Sequence, residues 1–351
     1  MFSRRILTIG LILGIMVSML ASLSASAQTS VGTVTFRDSS ASSDSVVIAL
    51  KGMPAPSAGS HYKGWLLDSV GNKVDVGKLA VTALGTVNRT HVSANGANLL
   101  ADNQIFVVTS EPSGAVVYAD AIKNPAYVHV KTLLVGTDAQ ATALRAQAIL
   151  ALGAANSAKS ASTLADKQAY AQNAINVLSI VSSHADAVAA TAALAKDAAS
   201  TNTTVVNNAD IAIASAANIK SWATSATTSA NAIVSATSDG SVVEVNVNNL
   251  VTNASKVLNG RDVDTDGVVR PFAIKNASGV VTSKADEGGS NLAYTSSQDL
   301  AQFDLSAATA TPPVVGDALV SGVMRIALIL GILFLIAGGL MLRSRRVVSA
   351  S

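Results

Sequence analysis

The sequence has no cysteine among its 351 residues. That excludes disulfide staples, thiolate metal sites and cysteine nucleophiles. Stability must come from buried apolar area, and the chain is long enough to supply it in two domains. Aromatic residues make up only 4%, so large interaction hot spots built on Trp and Tyr are not expected. Histidine is rarer still. His61, His91, His129 and His184 include no His-Glu-x-x-His and no pair at ligand spacing on one helix. A Gly-x-Ser-x-Gly elbow, a phosphate-binding glycine loop and a dinucleotide fingerprint are also missing. Ser60-His61-Tyr62-Lys63 matches Ser-x-x-Lys by letter, but its Ser-Asp-Asn and Lys-Thr-Gly companions are absent. These gaps argue against an enzyme, with an extracytoplasmic hydrolase as the remotest alternative.

Long apolar runs occur only at the two ends. Arg4 and Arg5 precede the run Ile6 to Leu20, and Ala25-Ser26-Ala27 follows as a small-x-small cleavage site. This order reads as a secretory signal peptide over residues 1–27, against the alternative of an N-terminal anchor. At the other end Ile326 to Leu342 is unbroken and ends on Arg343, Arg345 and Arg346. With Val323 and Met324 it approaches the ~30 Å of a bilayer core. The arginines place this end in the cytoplasm. The reading is a single-pass protein of the cell membrane, with its bulk extracytoplasmic. Six arginines (4, 5, 325, 343, 345 and 346) flank the two runs. The remainder carries 18 basic against 22 acidic residues, which offers no basic surface for nucleic acid.

Between the ends the hydrophobic period changes. From Val31 to about Leu134, short β-branched or aromatic runs such as "SVVIAL", "YKGWLLD", "QIFVVTS" and "YVHVKTLLV" alternate with turn residues. They predict an antiparallel β-sandwich over residues 28–136. "DSVGNK" (68–73) reads as its clearest hairpin turn. Trp65, among Leu66 and Leu67, is expected in the core.

Within this region "GSHYKGWLLDSVGNKVDVGKLAV" and the later "IFVVTSEPSGA" resemble the extracytoplasmic β-domain of anti-sigma-K-type factors. The shared positions are Tyr62, Trp65, Leu66, Asp68, Gly71, Glu111, Pro112 and Gly114. The resemblance implies the fold of that domain and brings no catalytic residues. In that family a cytoplasmic sigma-binding domain precedes the membrane helix. A signal peptide stands in its place here, so the family's regulatory activity is not expected.

From about Thr137 helical spacing takes over. Leu144, Ala148 and Leu152 form one stripe. Leu164, Ala171, Leu178 and Ala185 form a second, and Ile219, Ala223, Ala226, Ala230 and Ile233 a third. Val243, Val247, Leu250, Ala254 and Val257 form a fourth. An Ala-rich four-helix bundle over 137–260 is expected, with a low-complexity stalk as its rival. Residues 261–300 read as an acidic loop region, 301–318 as a linker, 319–342 as the transmembrane helix and 343–351 as a cytoplasmic tail. The fold class is thus α+β and multi-domain.

The stretch "NGRDVDTDGVV" (259–269) sets Asp262, Asp264 and Asp266 at positions 1, 3 and 5 of a calcium loop, with Gly267 at 6. Position 12 is Ala273 instead of a bidentate carboxylate. The competing reading is a solvated acidic turn. Asp286 or Glu287 would have to complete the shell, and Gly260 is expected as the αL cap of the preceding helix. The cofactor expected is weakly bound structural calcium. Asn88, Asn202, Asn253 and Asn276 begin glycosylation sequons.

The functional expectation is a non-enzymatic, membrane-anchored surface protein with a structural, adhesive or ligand-binding role. Its partner would be an unidentified protein or surface polymer. The alternative is a sensor or accessory subunit of a membrane signalling complex.

Overall fold

The computed structural model describes residues 30–307 apart from 123, 264, 266, 268, 270 and 276–280. The expected signal peptide, transmembrane helix and cytoplasmic tail lie outside the described residues.

The alternating runs do form strands. They are β1 (Ser30–Arg37), β2 (Ser45–Leu50), β3 (His61–Asp68), β4 (Lys73–Leu79), β5 (Val87–Val92), β6 (Asn103–Glu111) and β7 (Ala115–Ala121). Two further strands, β8 (Pro271–Lys275) and β9 (Val281–Asp286), pair as a separate hairpin. The last, β10 (Phe303–Ala307), joins the main sheet. Strand order there is β4-β3-β6-β7-β10-β1-β2-β5, antiparallel throughout. The expectation of an antiparallel fold holds, but a single sheet curls nearly closed where two facing sheets were expected. Its edges meet through Arg89 of β5, whose Nε donates to the Val76 carbonyl of β4 at 3.0 Å. Gly77 makes room for that guanidinium. Its φ is +97°, and a Cβ there would lie 2.6 Å from the Arg89 side chain. The bond runs from a side chain to a carbonyl, and β4 and β5 remain the two ends of the strand order.

The curl encloses Phe36, Phe106 and Phe303, with Phe303 centred 5.7 Å from Phe36 and 6.1 Å from Phe106. Phe303 belongs to β10, which inserts between β7 and β1. Residues 303–307 are therefore part of the sheet, not a linker. Within "FDLSA" Phe303 and Leu305 are buried and alternate with the half-buried Asp304 and Ser306.

"YVHVKTLLV" was expected as a strand and is instead part of α1 (Asn124–Leu134). Pro125 suits a first helical turn. Ala126, Tyr127, Val130, Leu133 and Leu134 are buried at helical spacing, so the apolar stripe outweighs β-branched content. His129 consequently lies on a helix. The next four helices are α2 (Gln140–Ser160), α3 (Leu164–Ala198), α4 (Thr203–Val234) and α5 (Ser241–Asn259). They pack in a ring in which α2 touches α3 and α5, and α4 touches the same two. The stripe residues from Ile219 to Ile233 and from Val243 to Val257 are all buried. Thr163 and Asn202 cap α3 and α4 by accepting from the backbone N–H of Asp166 and Val205. In the region expected as an acidic loop, α6 (Ser290–Asp299) follows the β8–β9 hairpin and packs on α4, α2 and β1.

Among the described residues α3 alone is long and apolar enough to cross a membrane by length and composition. Alanine supplies much of that hydropathy, and the helix packs against α1, α2 and α4. The helical body is an insertion between β7 and β10 of one sheet.

Candidate functional site at the sheet and insertion junction

The β1–β2 loop, "DSSASSD" (38–44), stands where the sheet meets the helices. Asp44 is fully buried. It accepts from the Ser39, Ser40 and Ala41 backbone N–H groups at 2.6, 2.9 and 2.9 Å, and from the Ser40 hydroxyl at 2.8 Å. Burial pushes its pKa up, but these bonds together outweigh burial and hold the carboxyl at about 2. The loop is thus folded around an ionised carboxylate.

Asp38, at the other end of the loop, reaches out to the insertion. Its Oδ1 accepts from Ser43 N at 2.8 Å, Tyr294 OH at 2.9 Å and Gln298 Nε2 at 2.8 Å. Its Oδ2 lies 3.4 Å from Arg145 of α2. Arg145 in turn donates from Nε to Asn291 at 2.9 Å and stands 5.0 Å over the Tyr294 ring. One residue before the loop, Arg37 pairs with Asp299 at 2.6 Å. A carboxylate on the sheet therefore gathers donors from two helices of the insertion. A second tie joins Thr204 of α4 to Asp304 of β10 at 3.0 Å.

Between these groups lies an open cleft of about 350 Å³, walled by Ser39, Ser40, Ser42, Thr142, Arg145 and Tyr294 among others. The Thr142 Oγ1 is buried and has no hydrogen-bond partner. The chemistry is that of a polar clamp. Burial first of all pushes the Tyr294 hydroxyl up to about 12, so it stays a neutral donor and cannot serve as a base at ordinary pH. Ser42 faces that phenol at 3.0 Å, and a protonated phenol cannot take the serine's proton.

The sequence-derived metal residues lie elsewhere. Asp262 accepts from Thr265 N at 2.6 Å and Gly267 N at 2.7 Å. Asp264 and Asp266 lie outside the described residues. No group of three His, Cys, Asp or Glu side chains stands at metal-binding range among the described residues. Glu287, proposed as a distant ligand, is fully buried at the neck of this loop. It accepts from Val263 N through its side chain, and from Arg261 N through its carbonyl at 2.8 Å. Gly260 has a positive φ of +84° as expected, but ψ is −168°, outside αL. Its reason is close approach, since a Cβ there would fall 2.2 Å from the Glu287 carbonyl.

Trp65 is half-buried on the outer face of the sheet, against Ile105, Val107 and Ala119, and not in the main core. Its Nε1 donates to Thr109 at 2.9 Å, and Lys63 lies 4.1 Å over its ring.

Residues 15–121 match the family model described as anti-sigma-K factor rskA, C-terminal. The match ends at the last residue of β7 and covers less than a third of the chain. It bears out the anti-sigma-K resemblance read from Tyr62, Trp65 and the Glu111-Pro112-x-Gly114 turn. No curated protein and no solved structure gives a significant match to the chain. The anti-sigma-K likeness overturns the expected structural, adhesive or ligand-binding surface role. It favours the alternative, a component of a membrane signalling system.

The junction residues Asp38, Arg145 and Tyr294 were not singled out in the sequence. Each had a faint signal. Two aspartates bracket a serine run, one arginine interrupts an Ala-rich helix, and one tyrosine stands in the polar segment "SNLAYTSSQD".

Proposed function

We propose that the protein is a sensor or accessory subunit of a membrane signalling complex, acting through a protein partner and not by catalysis. The observation that carries this is the match of the sheet's first seven strands to the C-terminal part of an anti-sigma factor. The cytoplasmic role in this reading belongs to the partner, with the bulk of the chain extracytoplasmic and Ile326 to Leu342 crossing the membrane.

The junction suits such a role. Displacing α2 or α6 pulls on Asp38 and Arg37 of β1 and its loop. Displacing α4 pulls on β10 through Thr204. β10 leads in sequence to the apolar run. A signal received by the helical insertion thus has a covalent route toward the membrane.

The test is transcriptional. In the native host, loss of the protein is expected to change transcripts from promoters of one alternative sigma factor. The wild-type chain should restore them, and an Asp38→Ala/Arg145→Ala variant made at equal level should not. An unaltered transcript profile on loss of the protein would overturn the reading.

Weak structural calcium at Asp262, Asp264 and Asp266 is a second proposal, supported by their spacing. A melting temperature raised by millimolar calcium, and unresponsive in Asp264→Ala, is the expected outcome. A melt that calcium leaves unmoved removes it.

A further inference from the structure

The strand registers divide the curled sheet into two ends of opposite character. At one end Arg37 pairs with Ser45, Ser45 with Val92, and Asp68 with Asn103. This end carries the 38–44, 69–72 and 93–102 connections and both junctions to the helical insertion. Asp38, Asp44, Asp68, Asp102, Asp299 and Asp304 all lie on or beside it.

At the other end Ser30 pairs with Ser306, Gly32 with Leu50, Leu50 with Val87, Tyr62 with Leu79, and Ser110 with Ala115. The connections here are "KGMPAPSAGS" (51–60), "AVTALGT" (80–86) and "PSG" (112–114). They contain one charged residue, Lys51, and no acidic one. Glu111 is the acidic side chain at the strand ends, and it accepts from the Thr109 hydroxyl at 2.8 Å. At the tip of the second connection Leu84 is 87% exposed.

The chain enters and leaves the sheet at this same end. Ser30 is the first residue of β1, and its partner Ser306 is the last but one of β10. Both apolar runs of the sequence, Ile6 to Leu20 and Ile326 to Leu342, therefore connect to one end of the body. The helical insertion occupies the opposite end.

We infer that this loop end is a bilayer-facing surface on which the protein rests, with Leu84 entering the headgroup region. The occupant is lipid for three reasons. The apolar run that reaches the membrane leaves from here. The loops lack the carboxylates that an anionic surface would repel. Leu84 puts an exposed apolar side chain on the same face from which the chain leaves the sheet. The acidic end and the insertion are held away from the membrane, where a partner can reach them. The inference rests on the membrane reading of the preceding subsection and adds which face meets the bilayer.

The absence of native cysteine makes the test direct. Full-length Leu84→Cys and Val70→Cys variants are each labelled with an environment-sensitive fluorophore. Both are reconstituted into vesicles of phosphatidylethanolamine and phosphatidylglycerol. Val70, 80% exposed in the β3–β4 turn, reports on the opposite end. The label at residue 84 is expected to shift its emission to the blue and to be quenched by brominated lipid. The label at residue 70 should respond to aqueous iodide instead. Equal iodide quenching at both positions, in protein that floats with the vesicles, overturns the inference and leaves membrane attachment standing. Protein that does not float with them overturns the membrane reading and this inference together.

Discussion

Asp44 shows how much one side chain can organise in this molecule. It is buried and ionised, and four hydrogen bonds fold the 38–44 loop round it. Removing the carboxylate leaves three backbone N–H groups to find other partners. Asp44→Ala is expected to cost about 1–3 kcal/mol by chemical denaturation at pH 7. The pH dependence has a definite sign. The folded pKa is held down at about 2, below the ~3.9 of a free aspartate. Its stabilisation is therefore complete above about pH 4 and is lost as pH falls through about 2. The stability gap between wild type and Asp44→Ala should narrow over that window. A gap that stays constant from pH 6 to pH 2 would mean that the ionised form is not what the loop requires.

Two fastenings lie at the ends of helices, at Lys167 and at Gly260. Lys167, in the first turn of α3, bonds Asp239 at 2.9 Å and also Glu244, so it pins the α4–α5 connection and the start of α5. The bond to Glu244 is the largest cause of its raised pKa. Lys220 makes a similar pair with Asp186 at 2.6 Å, but its side chain is 46% exposed against 6% for Lys167. Exposed pairs contribute little. Loss of a buried lysine leaves two carboxylates facing each other. Lys167→Met should therefore lower the melting temperature clearly more than Lys220→Met, and the reverse order would show that the triad is incidental. The neck at Gly260 fastens α5 to the segment before α6. Gly260→Ala puts a Cβ 2.2 Å from the Glu287 carbonyl at a positive φ. It is expected to cost more than about 2 kcal/mol, measured by urea unfolding. A neutral result would mean that residues 287–289 shift without penalty.

At the scale of the whole molecule, the deciding feature is that the sheet is made continuous by a strand nearly two hundred residues away in sequence from its neighbour β7. β10 brings Phe303 and Leu305 into the core, both fully buried, and fills the gap between β7 and β1. The region read as a free-standing domain, 28–136, lacks that strand. Expressed alone it is expected to be unfolded or aggregated, with β1 and β7 exposed as open edges. Residues 28–307 should unfold in one cooperative transition. Phe303→Ala in the longer chain should cost about 3–5 kcal/mol and destabilise the helical insertion with the sheet. Two separate transitions, with only the sheet affected by Phe303→Ala, would show that insertion and sheet fold independently.

Local pattern was enough wherever a segment's neighbours in space were also its neighbours in sequence. Short β-branched or aromatic runs between turn residues marked β2, β3, β4 and β6, and the helically spaced stripes marked α2 to α5. The "DSVGNK" turn lies where it was read. The anti-sigma-K likeness was legible for the same reason, because it resides in contiguous strands. "YVHVKTLLV" misled because β-branched residues satisfy either period over so short a stretch. What the sequence alone determined is therefore the antiparallel strands up to β7, the helices α2 to α5 and the two apolar ends. Only the tertiary structure decided that one sheet curls on itself, that β10 completes it, and that Asp38, Arg145 and Tyr294 meet. The β10 pairings and the Asp38, Arg145 and Tyr294 contacts join residues more than a hundred positions apart, and no local periodicity encodes which distant partner a buried carboxylate or an open strand edge will find.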